Sequence, residues 1–377
     1  MEILVFLGIL GVLVFLELRY YKKHATEHLD LDVHFSQPIA HYNEIVEVIE
    51  VAQNNKKLPL PFLLLKFETP MSLEFQDMTN TSISDLLYRE DMLTMRPFSR
   101  HTRRIKARCT RRGYYSFARV NISTTDLLLI DKITKDFPND GSITVLPERI
   151  ASDHLKTMMS ITFSDIVQRR TLLTDPFSFA GIREYQPWDP MKSINWTATA
   201  KAGDFMVNQN TSTSTRKVTI FVNLEFYNPK HSDSLLEKSI SLAYSYMCEL
   251  SEAGIPSALY TNGRDISSGT PVVSESASTV DNIQRRAVEL ARIDLRQEVL
   301  PFQALVEQYG STIGADDFVL VISPKNDTEF TSSLMDLMRK KNSLLWVLPS
   351  YRGTPQQSRI DSALLPNLLR WEILGHD

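Results

Sequence analysis

The sequence predicts an α+β multidomain protein: an amino-terminal transmembrane helix, a β-sandwich-like domain, and a carboxyl-terminal α/β domain. Three observations carry this. Residues 3–16, ILVFLGILGVLVFL, contain no polar side chain. Residues 31–125 contain short segments in which apolar and polar side chains alternate, the period of a half-buried strand. From residue 217 onward, near-continuous apolar runs alternate with segments of helical period, the pattern of a largely parallel sheet with helices on both faces.

The first element is the apolar run. Its 14 residues are short for a membrane span, which needs about 20. Counting Met1 through Tyr21 supplies the length and sets the first boundary at residues 1–21. Tyr20 and Tyr21, then Lys22 and Lys23, form the aromatic belt and basic anchor of an interface. A secretory signal would carry basic residues before the run and small residues after it. Here only Glu2 precedes it, and ELRYYKKH offers no cleavage site. Arg19, Lys22 and Lys23 all follow the run, so the expected topology is a single pass through the cell membrane with the body facing the cytoplasm.

A β-rich domain is expected over residues 22–150. In EIVEVIEVAQN, Ile45, Glu47, Ile49 and Val51 share one face, and Glu44, Val46, Val48 and Glu50 the other. NNKKLPLP is a turn, and FLLLKFE resumes a strand. Ile105, Ala107 and Cys109 alternate with Arg104, Lys106 and Arg108, and Gly113 interrupts the next run as a turn. Between Asp91 and Asp126 stand nine basic residues and no acidic one. That run reads as a solvated strand face, with contact to anionic lipid head groups as the alternative. No nucleic-acid-binding motif accompanies it, and the net charge of −4 supplies no global field for nucleic acid.

Residues 216–377 carry the α/β pattern. KVTIFVNL (217–224), SALYT (257–261), DFVLVIS (317–323) and LLWVLP (344–349) are the strands. Leu236, Ile240, Ala243, Met247 and Leu250 line a helix over 234–253, with Ser234 and Glu237 as a capping box. Val280, Ile283, Ala287 and Leu290 line a second helix, and Phe330, Leu334 and Leu337 a third. No Gly-rich phosphate loop follows any strand. In VNLEFYN only Asn223 and Glu225 offer oxygens to a divalent cation, so no metal and no cofactor is expected. Cys109 and Cys248 stand far apart in no ligand spacing, as in a reducing compartment.

Residues 151–215 connect the two domains and contain GIREYQPWDPMKSINWTATAKAGD (181–204). Arg183, Glu184, Tyr185, Trp188, Asp189, Lys192, Asn195 and Trp196 are its candidate functional residues. Three readings stand. The segment is a structural strap locked by arginine–carboxylate pairs and tryptophan packing; a docking surface, since Trp, Tyr and Arg dominate binding hot spots; or an enzyme site of unknown reaction using Glu184 and Asp189 as acid and base. Alternation with Ile194 and Ala198 points Trp196 into the core. Pro187 and Pro190 place Trp188 in a turn, the better position for docking.

The same segment resembles the family named domain of unknown function 58. Arg183, Glu184, Tyr185, Asp189, Ile194, Asn195, Trp196, Ala198, Ala200 and Lys201 match its signature, with Trp188 in place of a glycine and Lys192 in place of a second arginine. Upstream, RRGYYSF (111–117) followed by Asp126 is similar to the family's Arg-Gly-aromatic stretch, although its usual Asp-Pro-Phe-Gly has become DLLLI. The resemblance implies that residues 216–377 form a von Willebrand factor A-like domain. It also implies a membrane-anchored interaction or scaffold protein rather than an enzyme, acting with a MoxR-type AAA+ ATPase in assembly or maturation of other proteins. The adhesion motif Asp-x-Ser-x-Ser is absent at 223–227, so metal-dependent ligand capture is not implied. The usual family member has two membrane segments, and this chain shows one.

Overall fold

The computed structural model describes the chain except for residues 1, 78–79, 84–86, 151–157, 161–178, 186–190, 192–193, 211–216, 226–231, 278–279, 315–316, 341–342, 353–359 and 374–377. The chain divides into two compact units. One is Met1–Glu148 with Ala287–Ile293, and the other is Arg149–Arg286 with Asp294–Asp377.

The first unit opens with helix α1 (Glu2–His24). By length and composition it can cross a membrane. The large side chains of its first 16 residues are almost all exposed, but Tyr21 and, just after the helix, Ala25 are fully buried. Ten strands follow: β1 (Leu29–Phe35), β2 (Ile39–Ala40), β3 (Ile45–Asn54), β4 (Leu60–Thr69), β5 (Leu73–Phe75), β6 (Thr81–Ile83), β7 (Leu87–Met95), β8 (Arg100–Cys109), β9 (Gly113–Thr125) and β10 (Lys132–Val145). They form two sheets, β1-β3-β8-β5 and β2-β10-β9-β4-β7-β6. Every pairing is antiparallel except β2 with β10.

The inward faces of both sheets contribute to one core of Val33, Phe35, Val48, Leu65, Phe67, Ile105, Phe117 and Val120. Phe35 stacks on Phe117 at 4.6 Å, and Phe67 meets it edge-on. This is the expected β-sandwich. A second cluster at one end of the sandwich joins Tyr21, Ala25 and Leu29 to Leu60, Leu63, Met95 and Ile122. The end of α1 is thus part of the sandwich core, and the Tyr21 hydroxyl donates to the Pro59 carbonyl at 3.0 Å.

Two details tie the sheets together. β10 shifts register between Pro138 and Gly141, and Asn139 there accepts from the Val33 amide (3.0 Å) and donates to the Val33 carbonyl (2.7 Å). Gly141 passes so close to β1 that a Cβ on it would meet the Val33 carbonyl oxygen at 2.0 Å. The second detail is the face of β3 that is buried. Val46, Val48 and Glu50 face inward, while Ile45 is exposed. Alternation alone could not decide which face is buried, because both carried apolar residues and both carried glutamate. Glu50 is buried beside two β7 residues, Asp91 and Arg89, with Arg89 Nε 3.7 Å from Glu50 Oε1. Arg89 bonds to Asp91 at 2.8 Å and to the Asp77 carbonyl at 2.9 Å. Arg103 also pairs with Asp91, Arg104 pairs with Glu47, and Arg112 is buried. Part of the basic run is therefore consumed within the unit rather than left as a solvated face.

In the second unit, β11 (Phe179–Glu184) pairs antiparallel with β12 (Met206–Asn210), and α2 (Trp196–Ala202) lies in the connection between them. Then come β13 (Val218–Val222), α3 (Ser232–Glu252), β14 (Ser257–Asp265), β15 (Pro271–Ala277), α4 (Val280–Ala291) and the short β16 (Ile293–Asp294), of which Ala287–Ile293 count with the first unit, and then α5 (Phe302–Tyr309), β17 (Phe318–Ile322), α6 (Thr328–Lys340), β18 (Leu344–Tyr351) and β19 (Leu368–Ile373). α3 begins two residues before the expected start, so Ser234 lies inside the helix and not at its cap.

The main sheet runs β15-β14-β13-β17-β18-β19, with β16 off that path. Neighbours from β14 to β19 pair parallel, and β15 is antiparallel at the edge. Every residue of β13 and β17 is buried, as in strands covered on both faces. Phe221, Tyr260, Phe302, Phe330, Leu334 and Trp346 centre one core cluster. The chain leaves β13 toward β14 on one side and later fills β17 on the other. That reversal makes a topological switch point, where open α/β sheets form a crevice beyond the carboxyl ends of their strands.

Candidate functional site

Two places in the second unit gather functional side chains. The first is the signature segment. Arg183 pairs with Val207, and Glu184 with Met206, across the β11–β12 ladder. The Tyr185 amide donates to the Phe205 carbonyl at 2.8 Å, and the Asn195 amide to that of Met206 at 2.8 Å. Asn195 then starts α2. Its Oδ1 accepts from the Ala198 amide at 3.0 Å, and its Nδ2 donates to Asn208 at 2.6 Å. Gly203, at φ 83°, closes the helix with its amide on the Thr199 carbonyl.

This geometry corrects the expectation for Trp196. Ile194 is buried as predicted, but Trp196 is the first residue of a helix, not the next residue of a strand, and it is 64% exposed. A side-chain cap at Asn195 outweighed the alternation. The signal was in the sequence: Asn195 precedes WTATAKA, and Gly203 follows. Trp196 stands edge-on to Phe205 (6.4 Å), which is itself 54% exposed and meets Tyr185 at 6.1 Å. Phe205, just past the quoted signature, was not among the expected site residues. Trp188, Asp189 and Lys192 lie outside the described residues, so the expected pairing of Glu184 with Asp189 is not described. Glu184 itself is exposed at the strand end. Arg183 donates to the Glu184 carbonyl at 3.0 Å. What the segment presents outward is an aromatic edge.

The second place is the switch-point crevice, a cavity of about 740 Å³. Its floor follows β13 and β17. Asn223, fully buried, accepts at Oδ1 from Asn262 (2.8 Å) and from the Glu225 amide (3.0 Å), and donates to Ser323 at 3.1 Å. Glu225 Oε2 accepts from the Phe302 amide at 3.1 Å, which holds the start of α5. Its other oxygen takes the ammonium of Lys325. Lys325 also faces Asp327 at 3.2 Å and Glu329 at 4.0 Å. Burial works to lower the Lys325 pKa, but Glu225 and Asp327 outweigh it, and the net shift is upward.

Asn223 and Glu225, the two oxygens noted in the sequence, are thus already engaged by the chain's own donors. The positive charge at this point is Lys325. Among the described residues no group of three or more His, Cys, Asp or Glu side chains is arranged to hold a metal. Asp233, Asp294 and Glu298 also line the cavity, so its field favours cationic over anionic groups. Lys325, Asp327 and Glu329 were not among the sequence candidates. The signal was SPKNDTE following the third strand, the place where such folds put their sites.

No family model and no curated protein matches the chain. Among solved structures, it is similar to a CARDB domain from Pyrococcus furiosus at 16% identity, covering 32% of this chain and 90% of that one, with a TM-score of 0.19. It is also similar to a non-cellulosomal cohesin from Archaeoglobus fulgidus at 12% identity, covering 34% and 97%, with a TM-score of 0.23. A cohesin from a cohesin–dockerin complex of Clostridium thermocellum aligns at 10% identity over 31% and 99%, with a TM-score of 0.21. Each likeness spans about a third of this chain, and the functional reading rests on the side chains instead.

Proposed function

We propose that this is a membrane-anchored interaction protein that docks a protein partner on the aromatic edge of its signature hairpin. The observation that carries this is the exposure of Trp196 and Phe205 side by side on a segment whose backbone is fixed by a capped helix and a strand pair. Large aromatic rings held rigidly at the surface are the side chains most able to supply a binding anchor. Membrane anchoring is supported by α1. Its apolar residues are exposed along the outer turns, while Tyr21 and Ala25 belong to the sandwich core. Removing the helix as a signal would cut into the cluster that closes that end of the sandwich.

The family reading, domain of unknown function 58, is supported by the signature residues. The strand order of the second unit, with one antiparallel edge strand, supports an A-like domain. The partner class that the resemblance implies is a MoxR-type AAA+ ATPase on the cytoplasmic side. Lys325 in the crevice supports metal-independent docking, because an internal ammonium fills the electrostatic role a bound cation would have.

The test is Trp196→Ala in the full-length protein, captured from crosslinked native membranes. A hot-spot aromatic contributes about 2 kcal/mol or more, roughly a 30-fold loss of partner recovery. Stability should change by no more than about 0.5 kcal/mol, since the ring is on the surface. A folded variant that recovers partners as well as wild type removes the docking role.

A further inference from the structure

Leu127, Leu128, Leu129 and Ile130 join β9 to β10 and are 53%, 50%, 56% and 63% exposed. Four successive exposed aliphatic side chains are unlike the polar, turn-forming residues that loops in water carry. The loop is nonetheless built. Asp126, fully buried, accepts from the amides of Ile130 at 3.1 Å and Asp131 at 2.5 Å. Leu129 adopts φ 59°, a left-handed conformation rare for a bulky side chain. The chain holds this apolar tip outward against both solvation and backbone preference.

Its position is set by α1. The Leu127 amide donates to Glu17 Oε1 at 3.0 Å, and Asp131 faces Lys22 at 3.7 Å. Glu17 follows Leu16, the last residue of the apolar run. At about 1.5 Å per residue, Glu17 lies about 10 Å along the helix from its end at His24. The loop therefore reaches the margin of the apolar stretch itself.

Strand register brings a second loop to the same end. Leu29 pairs with Asn54, and Gln53 with Arg100, so residues 96–99 lie where α1 enters the sandwich. Phe98 there is 67% exposed with φ 51°, between exposed Arg96 and Arg100. Helix length adds a reason for this end to meet a membrane. Because Tyr21 is fixed in the core, the free helix is Ile3–Tyr20, about 27 Å long at 1.5 Å per residue, with its apolar run ending at Leu16. That is just under the roughly 30 Å of a hydrocarbon core. A span this short draws the domain fixed to it against the bilayer.

We infer that the helix-proximal end of the sandwich is a lipid-contacting surface in which Leu127–Ile130 insert into the bilayer interface beside α1. This rests on the membrane-anchor reading. The apolar tip enters the acyl boundary as the apolar face of an interfacial helix does, and exposed Arg96, Arg100 and Lys132 lie level with the head groups.

The test uses the full chain in phosphatidylcholine vesicles, with an environment-sensitive fluorophore on one introduced cysteine at a time: Leu10→Cys, Leu128→Cys or Tyr42→Cys. Cys109 and Cys248 are buried, and the unsubstituted protein measures any background. Tyr42 sits in the turn beside Cys109, at the opposite end of β8 from Arg100. Lipids spin-labelled in the acyl chain are the quencher. The expected result is loss of fluorescence at positions 10 and 128 and none at 42. Quenching at 10 without quenching at 128 overturns the inference and leaves the anchor reading intact. A blue-shifted but unquenched label at 128 also overturns it, since something other than lipid then covers the loop. No quenching at either position overturns the anchor reading and the inference with it.

Discussion

Replacing Lys325 with alanine removes the one ammonium that lines the switch-point crevice among the described residues. The lysine side chain is 14% exposed, Glu225 is 28% exposed and Asp327 is 51% exposed. A fully buried pair that loses one partner costs about 3–5 kcal/mol. Here Glu225 keeps the Phe302 amide, and Asp327 reaches water, so the loss is closer to that of one unsatisfied buried acceptor, about 1–3 kcal/mol. The four tryptophans, Trp188, Trp196, Trp346 and Trp371, all lie in the second unit. Trp346 is fully buried against Phe330, so tryptophan fluorescence in urea follows this unit alone. With an m-value of about 2 kcal/mol per molar, the midpoint should fall by about 0.5–1.5 M. The Lys325 pKa is raised above its ordinary value near 10.5. Its stabilisation is thus fully present below that value and is lost only as pH rises through the folded pKa, so the deficit should be constant from pH 6 to 9. A variant with the wild-type midpoint would show that Glu225 and Asp327 are satisfied without the lysine, and the account of the crevice would fall.

Glu50 supplies a second pH prediction, in a lower window. Burial, and then Asp91 beside it, push its pKa from 4.5 to about 8. Its contribution to the sandwich should be full below pH 4.5 and lost as pH rises through about 8. Glu50→Gln should flatten that decline, read by pulse thiol labelling of buried Cys109 across urea concentrations; an unchanged pH profile would place Glu50 outside the titration. Gly141→Ala puts a methyl group on the Val33 carbonyl. An overpacked site typically costs about 1–3 kcal/mol, which the same Cys109 labelling should show as a lower midpoint; a wild-type midpoint would mean that β1 and β10 separate freely there.

The sequence by itself determined the apolar helix, the strand-rich first region and four strands and three helices of the second, but not β15, β16, β19 or α5. Residues 3–16 could only be a long apolar helix. The period of two from residue 31 and the β–α alternation from 217 are local properties of the chain, set by which neighbours in sequence share a face. Tertiary structure decided everything that depends on residues far apart. Both faces of β3 carried apolar residues and glutamate, and only the packing of the two sheets made Glu50 an inward residue. Trp196 was decided at shorter range, by the side chain of Asn195 capping a helix where alternation suggested a strand. The crevice joins Lys325 to Glu225 across 100 residues, and the apolar loop meets the helix through a hydrogen bond spanning 110. Periodicity records which side of an element faces inward, but not what it faces. Strand order and the paths of the connections set that, bringing the Glu225 carboxylate to Lys325 and four aliphatic side chains to the margin of the apolar helix.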